Sequence, residues 1–484
     1  MAAATRGGHD ADAAAIWNAA LAAVQPEALV TRRLAIVAGR LTVDGRPLAA
    51  LPTGGRLMVV GAGKAAGGLA RGLAALLAAA PADIAVEGLV SVPEGCGAGV
   101  VDVAGRGRIE VRATRPAGSN LPTPAALETT AALLARLAGL EPADLAVALV
   151  TGGGSACLSL PRPGLPLEEK IAVTRFLAAA GADIRALNVV RQAASSVKGG
   201  GLARACRSGR LVVLVLSDIV GDPLELIASG PCLPAPPRAA AALAILERHG
   251  AVAAGVAPTL VRLLERDRAA RAAVAAGVAV GGVDAPADLP PQGAWTTPQG
   301  CLVEHVLLAS NATAVDAAAA RARGLGYEVR LRHAATGPEE TAADVGTRLA
   351  VEARKLLAAV ARDGRRRALI EGGEAVVPLP PDPGRGGRNQ HTVAAALAAV
   401  LGADGTWPAG LVVASIGTDG EDGPTAAAGG CIDAAVAAAA RPADLEAAIA
   451  RCDTHPLLAA AGGAVVTGPT GTNVADVRIV LARP

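Results

Sequence analysis

The chain has 484 residues, enough for two or three domains with sizeable cores, and its formal net charge of +2 gives no sign of a polyanionic partner. Hydrophobic residues make up 52% of it but aromatics only 1%, so the cores must be built from Ala, Val and Leu. The rows of aromatics that a single-stranded nucleic-acid platform needs are excluded.

Seven cysteines are scattered singly without a C-x-x-C pair. Neither a disulfide framework nor a zinc site is indicated, and a reducing, cytoplasmic compartment is expected. The N-terminal MAAATRGGHD carries no apolar run of signal length and leaves a short organellar presequence open. No unbroken apolar run of roughly 18 residues occurs, so no membrane span is expected.

Short apolar runs at 56–60, 86–92, 109–113, 146–150, 211–216, 303–309, 328–332, 368–370, 411–416 and 477–481 read as strands. Between most of them lie helical patterns, among them 65–79, 167–179 and 341–362. The strand runs are continuous rather than alternating, as expected of strands buried on both faces. Alternation of strand and helix predicts an α/β fold, with two α/β domains whose largely parallel sheets face a central cleft. Pro-rich stretches at 231–238 and 283–295 place the domains at about 10–250 and 300–484. No function is assigned to 277–298.

Six loops carry candidate chemistry. VVGAGKA places Gly61, Gly63 and Lys64 between a strand and a helix, as an anion site or a dinucleotide fingerprint. TGGGSA places Gly153, Gly154 and Ser155 after another buried strand, where backbone N–H groups can form a nest for phosphate or carboxylate. NVVRQAASSVKGGG ends a helix with Lys198 and three glycines, more than a cap requires. LSDIVGD brings Asp218 and Asp222 to a strand end, for a metal or a general base, and GTDGEDG does the same with Asp419 and Asp422. GRGGRNQHT offers Arg385 and Arg388 among glycines, suited to bidentate capture of carboxylate or phosphate. Asn311, after a strand in ASNATA, is an N-cap or a ligand contact.

Together with EGGEAVV (371–377) and GPTGTNVAD (468–476), these motifs resemble, in order and along nearly the whole chain, the type II glycerate 2-kinases with a MOFRL C-terminal domain. The resemblance implies transfer of the ATP γ-phosphoryl group to the 2-hydroxyl of D-glycerate with Mg2+. It implies small-molecule partners only, with no nucleic acid or membrane, and leaves homo-oligomer formation open. The family's key Lys falls on Lys64, its key Arg on Arg388 and its acidic central motif on Asp218 and Asp222. One departure is His391, where the family usually has Glu.

The implied division of labour has Asp218 orienting or deprotonating the 2-hydroxyl, and Lys64 and Arg388 holding the carboxylate and the transferring phosphoryl group. Asp222, Asp419 and Asp422 serve the metal. Gly61, Gly63, Gly153, Gly154, Ser155, Lys198, Asn311 and Asn389 contact substrate or phosphate. The runner-up reading is an NAD(P)H-dependent hydroxypyruvate reductase, and a third is a non-catalytic sugar-acid binding protein.

Overall fold

Aliphatic strands flanked by Ala- and Leu-rich helices account for most of the chain, which a computed structural model describes over residues 10–80, 83–236, 238–275, 294–337 and 340–484. Most of the 277–298 segment, residues 277–293, lies outside the described residues, as do residues 1–9. The chain divides into two units. The first comprises Arg33–Val215 and Pro223–Leu307; the second comprises the chain up to Arg32, Leu216–Asp222 and Leu308–Pro484.

In the first unit, β1 (Leu34–Val37), β2 (Arg40–Val43) and β3 (Arg46–Ala50) form a small antiparallel sheet that lacked a sequence signal. Eight strands follow: β4 (Arg56–Ala62), β5 (Ala85–Pro93), β6 (Gly99–Asp102), β7 (Gly107–Arg115), β8 (Leu145–Thr151), β9 (Arg210–Leu216), β10 (Ala294–Thr296) and β11 (Leu302–Ala309). Their order is β10-β11-β9-β8-β4-β5-β7-β6. Strands β7, β5, β4 and β8 run parallel, and β6 and β10 add antiparallel edges. All seven residues of β8 are buried, which explains its unbroken apolar run. The chain leaves β4 for β5 on one side and returns to β8 on the other. That reversal is a topological switch point, where open α/β sheets offer a crevice at the carboxyl ends of their strands.

The second unit holds β12 (Glu328–Arg332), β13 (Arg367–Gly373), β14 (Leu411–Gly417), β15 (Gly429–Ile432), β16 (Ala464–Val465) and β17 (Asp476–Ala482), in the order β12-β13-β17-β14-β15-β16. Here the expectation of a largely parallel sheet needs correcting. Only β12–β13 is parallel, and the other four pairs are antiparallel. Strands β13 and β14 do run the same way, as their helical connection predicts. The last strand, β17, enters between them in the opposite direction and takes the adjacency each would otherwise share.

The second unit also takes the N-terminal helix Ala11–Ala23, which sequence reading placed with the first domain. This helix packs on helix Asn311–Gly324. Arg483 bonds to Asp10 at 2.5 Å, and Tyr327 donates its hydroxyl proton to Asp12 at 2.7 Å. No single described helix is long and apolar enough to cross a membrane.

The second core is a mesh of Ala, Val and Leu, with Trp407 packed against it, between the sheet and helices Ala342–Asp363 and Arg388–Asp404. The two helices approach so closely at Gly346 that a Cβ there would lie 2.7 Å from Ala395 Cβ and would overlap the Thr392 carbonyl. Gly346→Leu is therefore expected to lower stability by about 3 kcal/mol in urea unfolding, the upper range for overpacking.

Candidate active site

In the first unit the loops after β4 and β8 lie side by side at the switch point. Gly63 has φ +123, and a Cβ on it would overlap Thr151 Oγ1 and approach the Gly152 carbonyl to 2.7 Å. A Cβ on Gly61 would sit 2.6 Å from the Leu149 carbonyl oxygen. The N–H groups of Gly63, Lys64 and Ala65 donate to Ser91 O, Gly152 O and Thr151 Oγ1 at 3.1, 2.9 and 3.2 Å. Gly61 and Gly63 are thus required by backbone packing, and the expected anion cradle on their loop is closed. What the loop accomplishes is the placement of Lys64.

Gly153 adopts φ +72, and the N–H groups of Gly153, Gly154 and Ser155 donate no hydrogen bond among the described residues. Three successive free N–H groups form an anion nest. A Cβ on Gly153 would lie 3.2 Å from Lys64 Cγ and 3.3 Å from Arg115 Nη2, so two cationic side chains flank the nest. Arg115 is 2% exposed, and its Nε and Nη2 find no hydrogen-bond partner. Nothing in its sequence surroundings singled it out.

Lys198 is buried and donates from Nζ to Ser155 Oγ at 2.7 Å and Ser155 O at 2.8 Å. The Ser155 hydroxyl lies 3.1 Å from that of Ser229, which donates to Asn188 Oδ1 at 2.7 Å. Ser229 belongs to a left-handed stretch with Ala228 at φ +50, Ser229 at +62 and Gly230 at +62. Two non-glycine residues in that region store strain of order 1–3 kcal/mol each, a habit of functional sites. Sequence reading missed Ser229 and Asn188, because a strained turn leaves no composition signal.

Burial pulls Lys198 well below the ordinary lysine range, helped by the charges of Lys170 and Arg191. Burial and then Arg191 bring Lys170 to about 7. Its Nζ donates to Ser159 Oγ at 2.8 Å.

The acidic loops belong to the second unit. Asp422 was expected to bind metal, and the structure gives it another task. Its carboxylate accepts from the N–H groups of Asn389 and Gln390 and from Gln390 Nε2, each at 2.9 Å. It caps helix Arg388–Asp404 from a distant loop, and Gly387 is there because any side chain would collide with it. Burial pushes Asp422 up to about 6 against the pull of these bonds.

Arg388 and Asn389 converge on Asp476, a fully buried residue at the start of β17. Arg388 grips it through Nε and Nη2 at 2.7 and 2.9 Å and reaches Glu374 from Nη1 at 2.5 Å. Asn389 donates to Asp476 at 3.0 Å and accepts from Ser415 at 2.5 Å. Asn389 is therefore structural rather than a phosphate contact. Asn311 likewise donates Nδ2 to Val474 O and Asp476 O at 2.8 and 2.9 Å, clamping β17. Arg388, held by two carboxylates, is a positioning residue in this geometry. Asp476 and Glu374 both escaped sequence reading, although their motifs were noted.

Asp218 accepts a bond from Asn473 Nδ2 at 3.2 Å and is half-buried. Asp419 is half-buried, accepts the Glu421 N–H at 3.0 Å, and its charge is felt by both Arg388 and Glu374. Asp222 adopts φ +54 and is likewise half-buried. Among the described residues no group of three His, Cys, Asp or Glu side chains is arranged to hold a metal, so Asp222, Asp419 and Asp422 do not form a ready cage. His391, on the buried side of its helix, has its pKa lowered by burial.

Comparison with known proteins agrees in both halves of the chain. Residues 12–265 match the model of a domain of unknown function, DUF4147, and residues 367–476 that of the MOFRL family. A glycerate kinase from Homo sapiens is 34% identical over 520 residues, covering 97% of this chain and 92% of the relative. A putative hydroxypyruvate reductase from Agrobacterium vitis is 33% identical, covering 96% and 93%. A D-glycerate 2-kinase from Thermotoga maritima is 32% identical, covering 75% and 79%. The crystal structure of a glycerate kinase from Thermotoga maritima superposes with a TM-score of 0.72 at 28% identity, covering 96% and 97%.

Two measurements check this description. Asp422→Ala, which removes the buried cap, is expected to lower unfolding free energy by about 2 kcal/mol. The folded chain holds Lys170 near 7 while the unfolded chain releases it to the ordinary 10.5, so unfolding takes up a proton between those values. The cost of burying this lysine is complete below pH 7 and fades as pH rises toward 10.5. The melting temperature of Lys170→Met is expected to exceed that of the wild type at pH 7, with the gap narrowing by pH 10.

Proposed function

The chain belongs to the glycerate kinase family with a MOFRL C-terminal domain, and from that premise we propose that it transfers the γ-phosphoryl group of ATP to the 2-hydroxyl of D-glycerate, giving 2-phospho-D-glycerate and ADP. The observation that carries this reading is the free N–H row of Gly153, Gly154 and Ser155 beside Lys64, a site built for a phosphate-like anion. The reductase reading would need the Gly61-x-Gly63 turn to receive a pyrophosphate. The N–H groups of that turn already donate to neighbouring protein oxygens.

Phosphoryl transfer depends on positioning and on neutralising charge over the phosphate oxygens. The nest and Lys64 neutralise negative charge on the transferring phosphoryl group. Lys198 fixes the Ser155 hydroxyl through two bonds and so holds the nest in shape. Asp218, oriented by Asn473, takes the proton of the 2-hydroxyl as the new P–O bond forms. Arg388 is held on Asp476 and Glu374, where it limits the mutual repulsion of the acidic residues around it. Magnesium, when bound, would supply positive charge to offset that of the nucleotide phosphates. It typically takes only one or two carboxylates and fills its remaining positions with phosphates and water, so the absence of a three-residue cage among the described residues fits it. Asp419 would hold it, with Asp222 as a further candidate carboxylate.

Purified protein given D-glycerate, ATP and magnesium is expected to yield ADP and 2-phosphoglycerate by phosphorus NMR. NADH oxidation on hydroxypyruvate with no ADP would overturn the reading. Lys64→Ala is expected to lower kcat/KM by about a hundred- to a thousand-fold with an unchanged melting temperature.

A further inference from the structure

Buried cations in proteins are ordinarily paired with carboxylates. The first unit breaks this habit around the nest. Lys170 is 4% exposed and Lys198 is 3% exposed. Neither makes an ion pair among the described residues; their contacts are serine hydroxyls and carbonyl oxygens. Arg191 lies within the field of both. Its guanidinium is half-buried and makes no hydrogen bond or ion pair among the described residues.

The placement of Arg191 is specific. It sits on helix Ile184–Ala193 three residues after Asn188, a spacing that puts both on one helix face. Asn188 accepts from Ser229, Ser229 lies 3.1 Å from Ser155, and Ser155 is held by Lys198. The next residue on the helix, Gln192, donates to Ser229 O at 3.2 Å, which fixes the helix against the strained turn. Lys198 has all three of its protons engaged by protein oxygens. It supplies charge but no open donor. Arg191 has all its N–H donors open.

We propose that Arg191 is the residue that binds the carboxylate of glycerate, with Lys170 and Lys198 as buried positive charges behind it. The inference rests on the glycerate kinase reading above. A planar guanidinium with an unused edge matches a planar carboxylate through two parallel N–H···O bonds. The neighbouring Ser155 and Ser229 hydroxyls suit the alcohol groups of the same acid. The three mutually repelling cations are stabilised only when an anion arrives, which favours binding of an acid over its neutral analogue.

The test uses the full-length protein. Arg191→Gln is expected to raise KM for D-glycerate about a hundred-fold while KM for ATP stays within about twofold, and Arg191→Lys to recover only part of the loss. Without ATP, D-glycerate is expected to raise the melting temperature of the wild type but not of Arg191→Gln. Glycerol, which lacks the carboxylate, is expected to leave both unchanged, and inorganic phosphate, which the nest takes, to act equally on both. Lys170→Met is expected to weaken glycerate protection while making the ligand-free protein more heat-stable, the opposite of what loss of a purely structural lysine does. An unchanged glycerate KM in Arg191→Gln overturns the proposal, as does phosphate protection lost in that variant or an effect confined to ATP. These outcomes count only if the wild type makes 2-phosphoglycerate, so failure of the subsite and failure of the kinase reading are told apart.

Discussion

The second unit is organised by one buried carboxylate, that of Asp476. Left alone in an apolar interior, this charge would cost several kcal/mol. Arg388 meets it with two parallel bonds, and Asn389 adds a third. Because Asp476 is the first residue of β17, the same contact fixes the register of the strand that joins β13 to β14. Asn311 grips the backbone at this point from another helix. The start of helix Arg388–Asp404 is thereby fixed from two sides, by Asp476 on its first side chain and by Asp422 on its backbone. Rigid placement of these groups, rather than their direct contact with substrate, is what the geometry secures.

The two units carry opposite electrostatic character. In the first, lysines and arginines surround a hydroxyl network with no carboxylate acting on Lys170 or Lys198. In the second, Asp476, Glu374 and Asp419 outnumber the single Arg388 among them. On the function proposed above, an anion would relieve the first arrangement and a cation the second. The left-handed turn through Ala228, Ser229 and Gly230 belongs to the same pattern of stability given up at a working site.

Much of this was legible in the sequence. The ten runs all became strands; most are buried on both faces, which leaves a continuous apolar pattern, whereas β7 alternates and β12 has no buried residue. Short edge strands such as β6 and β16 were not legible, since a few residues half-exposed to solvent carry no period. The insertion of β17 was hidden for a different reason: pairing partners far apart in sequence cannot be inferred from local propensity. Among the candidate residues, Lys64, Ser155, Lys198 and Arg388 were legible as motif members. Their roles were less so. Gly61 and Gly63 looked like phosphate binders but answer to backbone packing, and Asp422 looked like a metal ligand but caps a helix. Arg191 and Lys170 passed unnoticed because a charged helical residue reads as solvated until its surroundings are known.

The path of the chain through the second unit bears on how the protein is made. Helix Ala11–Ala23 is made before the first unit and β17 after it, yet both belong to this second unit, with Asp10 bound to Arg483. The unit's sheet lacks its internal strand until β17 is made, after all its other strands. Most of the first unit lies in the continuous stretch Arg33–Val215 and is available far earlier. Chain order thus lets the first unit be complete while the second still awaits β17, in keeping with the unit-by-unit folding of larger proteins.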